Sequence, residues 1–174
     1  MIEPPLRVEP LGPHHDRASF SSGKSSLDEY IRRFAGQDTR LGLTRCFVLV
    51  PEDELQRILG YYTLSAASVA PRKAPGKLAK VRRYPEIGAL LLGRFAIDRR
   101  FQGRGLGRNL LLHVLVHVAA LGEEAGFALL LVDPLDEEAE AFYRKFAFAP
   151  LPGEKRMYLL LKDLRATLEA FERG

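Results

Sequence analysis

Gln102-Gly103-Arg104-Gly105-Leu106-Gly107 is the stretch on which the reading of this chain turns. An apolar run, Leu90 to Ile97, precedes it and predicts a strand; another, Leu110 to Leu121, follows it and predicts a helix. A strand, a glycine-rich turn and a helix N-terminus in that order make an anion site. The turn's N–H groups and the helix's first donors, which lack intrahelical acceptors, converge on one point. Arg99, Arg100, Arg104 and Arg108 crowd the same turn. The spacing fits neither common nucleotide motif. A Walker A loop closes with Gly-Lys-Ser/Thr, and no Lys follows these glycines. A dinucleotide fingerprint is G-x-G-x-x-G near the start of a βαβ unit, whereas this run is G-x-G-x-G past the midpoint of the chain. The expected ligand is phosphorylated and of another kind.

A length of 174 residues predicts one domain with a sizeable core. Apolar residues at 47% and charged residues at 28% exclude a disordered or fibrous chain. The net charge of +4 and pI near 9.3 suit an anionic partner. Cys46 is the sole cysteine, which rules out an internal disulfide and a Cys-rich zinc site and fits a reducing compartment. No run reaches the roughly 18 apolar residues of a membrane span. Met1 to Pro10 carries acids and prolines rather than a basic-then-apolar leader. A cytoplasmic protein without a membrane partner is expected.

Outward from the turn, Leu6 to Leu11 alternates as a strand, and Ser25-Ser26 precede a helix to about Phe34 with Leu27, Tyr30, Ile31 and Phe34 on one face. Cys46 to Val50 and Ile58 to Leu64 predict a hairpin around the polar turn Pro51 to Gln56. Glu86 to Ile97 predicts a central strand, Gly105 to Ala125 a helix, and Phe127 to Val132 a buried strand. Asp136 caps a helix to about Phe146; Met157 to Leu161 predicts a strand and Leu164 to Glu172 a last helix. The order predicts an α/β domain with a mixed sheet wrapped by helices. Pro71 to Pro85 stands apart. It carries Arg72, Lys73, Lys77, Lys80, Arg82 and Arg83 without an acid, and its prolines and Gly76 argue for a loop, with a short helix around Leu78 to Val81. Such a loop is either a solvated surface or a binding surface for a polyanion, most simply RNA.

The order of parts resembles the GNAT acetyltransferase superfamily. Its Arg/Gln-x-x-Gly-x-Gly/Ala signature matches Gln102 to Gly107, and its second signature, Asn-x-x-Ala-x-x-Φ-Tyr before Gly-Phe, resembles Asp136 to Tyr143 followed by Ala147-Phe148. Asp136 replaces the asparagine, and Ala147 replaces the glycine, which predicts a helix end without the usual left-handed glycine. A closer resemblance is to the TacT-like toxins of type II toxin–antitoxin systems. It rests on Phe20-x-x-Gly23-x-x-x-Leu27-Asp28-x-Tyr30-Ile31, on Gln37-Asp38, on Gly60-Tyr61-Tyr62-Thr63-Leu64-Ser65 and on Gly93-Arg94-Phe95-Ala96-Ile97-Asp98. The resemblance implies the GNAT form of an α/β (α+β) fold: a twisted, mixed, mostly antiparallel sheet of six to seven strands, flanked by helices and splayed at its central strands.

It also implies the chemistry. Acetyl-CoA is the donor, and the acceptor is the α-amine of aminoacyl-tRNA, whose acetylation stops translation. The acetyl-CoA site would comprise Phe95, Ala96 and Ile97 along the pantetheine, the turn residues Gln102, Gly103, Arg104, Gly105, Leu106, Gly107 and Arg108 at the phosphates, and Asp136, Ala139 and Phe142. Tyr143 would be the acid that protonates the departing thiolate. The basic loop would touch the tRNA, a small DNA-binding antitoxin would be the partner, and a homodimer is implied. The alternatives are an acetyltransferase for a small amine or a protein N-terminus, and a non-catalytic module binding CoA or RNA. Cys46 reads as core. His113 and His117, spaced i, i+4, lack a third ligand, so no metal is expected. Arg94 is an odd charge in an apolar strand and, if buried, needs an acid partner or a phosphate; Asp98 is a nearby candidate.

Overall fold

A computed structural model describes residues 4–174; the first three residues of the Met1 to Pro10 stretch lie outside the described residues. The strands are β1 (Leu6–Pro10), β2 (Arg45–Pro51), β3 (Gly60–Val69), β4 (Ile87–Ile97), β5 (Leu129–Val132), β6 (Ala149–Pro150) and β7 (Met157–Leu160). The helices are α1 (Ser25–Glu29), α2 (Ala35–Arg40), α3 (Leu106–Glu124), α4 (Glu137–Arg144) and α5 (Leu161–Glu172), with a π-helical turn, Tyr30–Phe34, between the first two. The sheet has seven strands in the order β1-β2-β3-β4-β5-β7-β6. β1–β2, β2–β3, β5–β7 and β6–β7 are antiparallel, and β4–β5 is parallel. The expected mixed, mostly antiparallel sheet is therefore present. Within it the residues group into two compact units, one of residues up to 65 with 93–111, the other of 66–92 with 112–174.

In the first unit, Cys46, Val48 and Val50 alternate inward from β2 and meet Phe20, Tyr30, Ile31, Ala35, Tyr61 and Ala96. The helical face differs from the sequence expectation. Phe34 is 44% exposed and Ala35 is fully buried. The π turn is the cause: the Ala35 N–H bonds the Tyr30 carbonyl, five residues back, which inserts one residue and shifts the inward face. Ser25 and Ser26 do not cap α1, whose N-cap is Lys24 without a side-chain bond. Asp28 reaches back instead, accepting the Ser22 N–H at 2.7 Å, the Ser22 hydroxyl at 2.7 Å and the Ser21 hydroxyl at 3.2 Å. Gly60 has a steric reason, since a Cβ there would stand 2.9 Å from the Ala96 carbonyl oxygen and 2.7 Å from Ile97 Cδ1.

Asp98 terminates β4. It is fully buried and caps the 3-10 turn Arg99–Phe101. Its Oδ1 accepts the Arg100 N–H and Nε–H at 2.9 and 3.0 Å, and its Oδ2 accepts Arg100 Nη2 and the Ser21 N–H at 3.0 and 3.2 Å. Burial pushes this carboxyl up, but the Arg100 side-chain and backbone bonds, the Ser21 N–H and the Arg100 charge outweigh it and hold the group below the usual carboxylate range.

In the second unit, β5 is wholly buried and pairs with β4 from Ala89↔Leu129 to Leu92↔Val132. Beyond that register β4 continues to Ile97. Val69, Ala74, Ala89, Leu129, Leu131 and Leu151 form the core cluster. α5 begins at Leu161, directly from β7, rather than at Leu164. The short strand β6 was not expected from the sequence. α4 ends in a Schellman motif: Phe148 N–H to the Tyr143 carbonyl at 3.3 Å, and Ala147 N–H to the Arg144 carbonyl at 3.1 Å. Ala147 adopts the left-handed conformation itself, at φ 69°. The left-handed turn expected to vanish with the glycine is thus kept, because two carbonyls and the Tyr143–Phe148 ring contact, 5.5 Å between centroids, are satisfied by it.

Two stability predictions result. Ala147→Gly raises unfolding free energy by about 0.5–1 kcal/mol, because relief of the left-handed strain exceeds glycine's added chain entropy; an unchanged or lower urea midpoint would contradict this. Asp98→Asn costs about 2 kcal/mol at pH 7. Since the folded-state pKa of Asp98 is depressed, its contribution is present above the unfolded value of about 3.9 and lost as pH falls through the folded value. Urea unfolding of both proteins from pH 7 down to about pH 2.5 must show the gap closing only at the acid end.

Candidate active site

The glycine-rich turn owes its shape to two left-handed residues. Gly103 and Gly105 have φ of 77° and 80°, and a Cβ at either would meet nothing within 4 Å. Conformation, not space, demands glycine here. Left-handed residues on either side of Arg104 give the kind of turn that can direct N–H groups at an anion, and α3 opens immediately after, with Asn109 N–H closing on the Gly105 carbonyl at 3.1 Å. The first N–H groups of α3 have no acceptor inside the helix by construction. A turn of this kind at a helix N-terminus suits an anion.

The Gln102 side chain holds the turn in place. Its Nε2 donates to the Ile97 carbonyl at 2.9 Å and the Ser22 carbonyl at 3.0 Å, tying the turn to the end of β4 and to the 21–24 loop. Of the four arginines crowding the turn, Arg100 is held by Asp98. Arg99, Arg104 and Arg108 are exposed. Arg104 lies over the Phe101 ring, 5.6 Å from its centroid, as do Arg57 at 5.7 Å and Arg100 at 5.6 Å. Phe95, Ala96 and Ile97 stand on the part of β4 that runs past the β5 register. Arg94 does not pair with Asp98. Its guanidinium carbon lies over the Tyr30 ring, 3.5 Å from the centroid, and the Tyr30 hydroxyl donates to Asp38 at 3.0 Å. The sequence marked Arg94 as anomalous, but an aromatic partner is not visible from charge pairing.

The second unit carries Tyr143 on α4. Asp136 Oδ1 accepts the Ala139 N–H at 2.9 Å, so the aspartate performs the N-cap role, and Glu137, Glu138 and Glu140 favour the helix dipole in the first turn. Tyr143 is 7% exposed, and its ring meets Phe142 at 5.4 Å and Phe148 at 5.5 Å. Burial pushes its phenol well above the ordinary tyrosine value, which keeps the hydroxyl protonated at neutral pH. A buried, protonated phenol is a proton donor.

The same unit holds the basic loop, as two 3-10 turns, Pro71–Lys73 and Gly76–Lys80. Ala74 is buried and Leu78 packs on the core, so the loop is pinned while Arg72, Lys73, Lys77, Lys80, Arg82 and Arg83 all remain exposed. Lys73 contacts Glu154 at 3.5 Å, and Arg82 donates to the Ala79 and Val81 carbonyls.

Cys46 is buried and its thiol is pushed up to about 12 by burial, which removes it as a nucleophile. His113 and His117 stand 6.3 Å apart by ring centroid, and burial lowers both. A His-rich group that the sequence does not reveal is Glu9, His14 and His15. There His15 Nδ1 accepts the Gly12 N–H at 2.8 Å, so the proton sits on Nε2 and is donated to Glu9 Oε1 at 2.7 Å. The ring nitrogen facing Glu9 is thus a donor, which is the state of a hydrogen-bonded cluster and not of a metal ligand.

Residues 44–150, which span the turn and α4, match the family described as "Acetyltransferase (GNAT) domain". A tRNA-acetylating toxin of Mycobacterium tuberculosis is 39% identical over 154 residues, covering 88% of this chain and 90% of its own. The structure of AtaT complexed with acetyl-methionyl-tRNAfMet superposes with a TM-score of 0.84 at 28% identity, over 93% of this chain and 98% of that one. A tyrosine-mutant AtaT bound to acetyl-CoA and to the C-terminus of the antitoxin AtaR gives 0.78 at 26% identity, over 93% and 97%. With more than half its length matched and a relative of this identity over nearly all of it, the chain belongs to the GNAT acetyltransferase family.

Proposed function

We propose that this chain, as a single catalytic domain, transfers the acetyl group of acetyl-CoA to the α-amine of the amino acid on aminoacyl-tRNA and thereby blocks translation. The observation that carries the reading is the left-handed pair Gly103 and Gly105 opening α3, a phosphate cradle of the kind a CoA donor needs. The tRNA acceptor is supported by the Mycobacterium tuberculosis relative and by the AtaT–tRNA complex. Acetyl-CoA fits the residues present, since the cradle is unobstructed and arginines flank it.

Bound there, acetyl-CoA supplies the acyl group as an activated thioester. The N–H groups of Gly103, Gly105 and Gly107 hold the pyrophosphate, and Arg104 and Arg108 add charge-assisted bonds to it or to the 3′-phosphate. Gln102 keeps the turn in place through Ile97 and Ser22. The backbone of Phe95 to Ile97 lines up the pantetheine as a neighbouring strand would, and a β4 N–H offers a donor to the thioester oxygen. Tyr143 gives its hydroxyl proton to the departing sulfur, and α4, with its Asp136 cap, Ala139 and Phe142, sets that hydroxyl's position. The amine must arrive neutral. An α-amine next to an ester is less basic than a lysine, so water suffices to take its proton. The exposed basic loop binds the tRNA backbone. A small antitoxin partner is supported by the AtaT–AtaR structure. Homodimerisation and a cytoplasmic site of action, where charged tRNA is found, complete the reading. Among the described residues no helix is long and apolar enough to cross a membrane.

Incubating the protein with labelled acetyl-CoA and a pool of charged bacterial tRNA labels the aminoacyl group; label only on small amines or protein N-termini would refute the tRNA reading. Tyr143→Phe lowers kcat by about 10²-fold while acetyl-CoA still binds, as calorimetry would register; full turnover in this variant would remove the acid role. Reversing charge at Lys77, Lys80, Arg82 and Arg83 weakens tRNA binding and flattens its salt dependence, by about 0.7–0.9 in log–log slope for each phosphate no longer neutralised. An unchanged slope would show the loop to be a bystander.

A further inference from the structure

Around the π turn of the first unit, most arginines are occupied. Arg7, Arg33 and Arg57 hold Glu9, Glu29 and Glu54. Arg32 donates to the Phe20 carbonyl, and Arg45 to the Thr39 carbonyl. Three are different. Among the described residues, the guanidinium groups of Arg17, Arg40 and Arg94 make neither an ion pair nor a hydrogen bond, yet Arg17 and Arg94 are half-buried. Withdrawing a cation from water without an acceptor is unfavourable, so their positions need a cause.

Two of them meet at one glycine. A Cβ on Gly36 would stand 3.1 Å from Arg17 Nη1 and 3.8 Å from Arg40 Nη1, so both guanidinium ends converge above that glycine. A glycine inside a helix costs about 1 kcal/mol against alanine, and here its bare Cα leaves room for the Arg17 head. Arg94 lies on Tyr30, in the π turn that precedes Ala35 and Gly36, and Arg17 and Arg94 both act electrostatically on the buried Cys46. Asp38, the acid at the Tyr30 hydroxyl, accepts that hydroxyl and forms no ion pair with Arg94 among the described residues.

We propose that Arg17, Arg40 and Arg94 form a second phosphate site, which grips the single-stranded 3′ tail of the charged tRNA. The assignment rests on the aminoacyl-tRNA reading above. Arg94 stands on β4 beside Phe95, the strand along which the acetyl donor is placed. The reacting amine is esterified to the terminal nucleotide, so the phosphates nearest to it are those of the tail. Arginine suits them because its planar fork binds phosphate oxygens two at a time. The basic loop, in the other unit, serves the duplex body.

The test is a cycle between protein and RNA. The probes are an uncharged tRNA with its full 3′ tail and the same tRNA lacking that tail. The proteins are wild type, the Arg17→Gln/Arg40→Gln double variant and the triple variant that adds Arg94→Gln. Wild type binds the full tRNA about tenfold more tightly than the shortened one. The variants lose that difference, and their log–log salt slope for full tRNA falls by about 0.7 per arginine removed from the RNA. Acetyl-CoA affinity and melting temperature of the double variant stay at wild-type values, which separates weaker RNA binding from a damaged fold. Should wild type bind neither RNA in a salt-dependent way, the tRNA reading itself falls, and this site with it. If wild type discriminates the tail and the double variant does so equally, the site is overturned while the tRNA reading stands. Unchanged tRNA binding with loss of affinity for an acidic peptide would assign the cluster to a protein partner and likewise overturn the RNA assignment.

Discussion

Everything at the working end of β4 hangs from the Asp98 carboxylate, which has no exposed surface and accepts hydrogen bonds from the Arg100 main chain and side chain and from the Ser21 N–H. A lone buried carboxylate would be strongly unfavourable, so the group is stable only with all these donors in place. That requirement makes it an effective joint. It fixes the 3-10 turn that follows the strand, and it fixes the 19–22 loop, which in return accepts the Arg99 N–H on Ser21 and the Gln102 amide on Ser22. The glycine cradle is the next thing along the chain. Its two left-handed residues would otherwise be the most mobile part of the turn, since glycine has the most conformational freedom to lose. Anchoring at Asp98 and Gln102 restricts that freedom before any ligand arrives.

The helix that carries Tyr143 obeys a similar constraint with different means. Tyr143 is placed by a short helix of only Glu137–Arg144, which would be marginal on its own. Its ends are therefore closed by side-chain and main-chain partners: Asp136 at the start and the Ala147 left-handed turn at the finish. The turn bonds the carbonyl of Tyr143 itself and lays Phe148 against the Tyr143 ring. Holding an alanine at φ 69° carries strain of about 1 kcal/mol, tolerated because two carbonyls and a buried ring contact depend on it.

Much of this was legible in the residues. Strand positions, the turn, α3 and α4 follow from apolar period and glycine placement, and the glycine turn and Tyr143 stand in matched motifs. What was not legible depends on groups far apart in sequence or on a single-residue shift. The π turn moves the inward position from Phe34 to Ala35, and no periodicity argument contains an extra residue. Arg94 looked like a partner for Asp98 by proximity in sequence, but Asp98 is claimed by Arg100, two residues on, whose bidentate geometry on a turn is better than any along a strand can be. Gln102 stands in the matched motif, but the use of its side-chain nitrogen, on the carbonyls of Ile97 and Ser22, depends on a residue 80 positions away and is not visible in that motif.

The arginines show how one residue type is divided between two tasks. Where a guanidinium meets a carboxylate, as at Arg100 and Asp98, its field is largely cancelled at distance and it acts as structure. Where it meets a ring face, as Arg94 does on Tyr30, the attraction comes from the ring quadrupole and the net charge survives. An arginine over a ring is therefore held in position without having its charge neutralised. Arg104 on Phe101, at the edge of the cradle, has the same character. Arg100 combines the two, paired with Asp98 and 5.6 Å from the Phe101 centroid, so it is the carboxylate, not the ring, that cancels a cation's field.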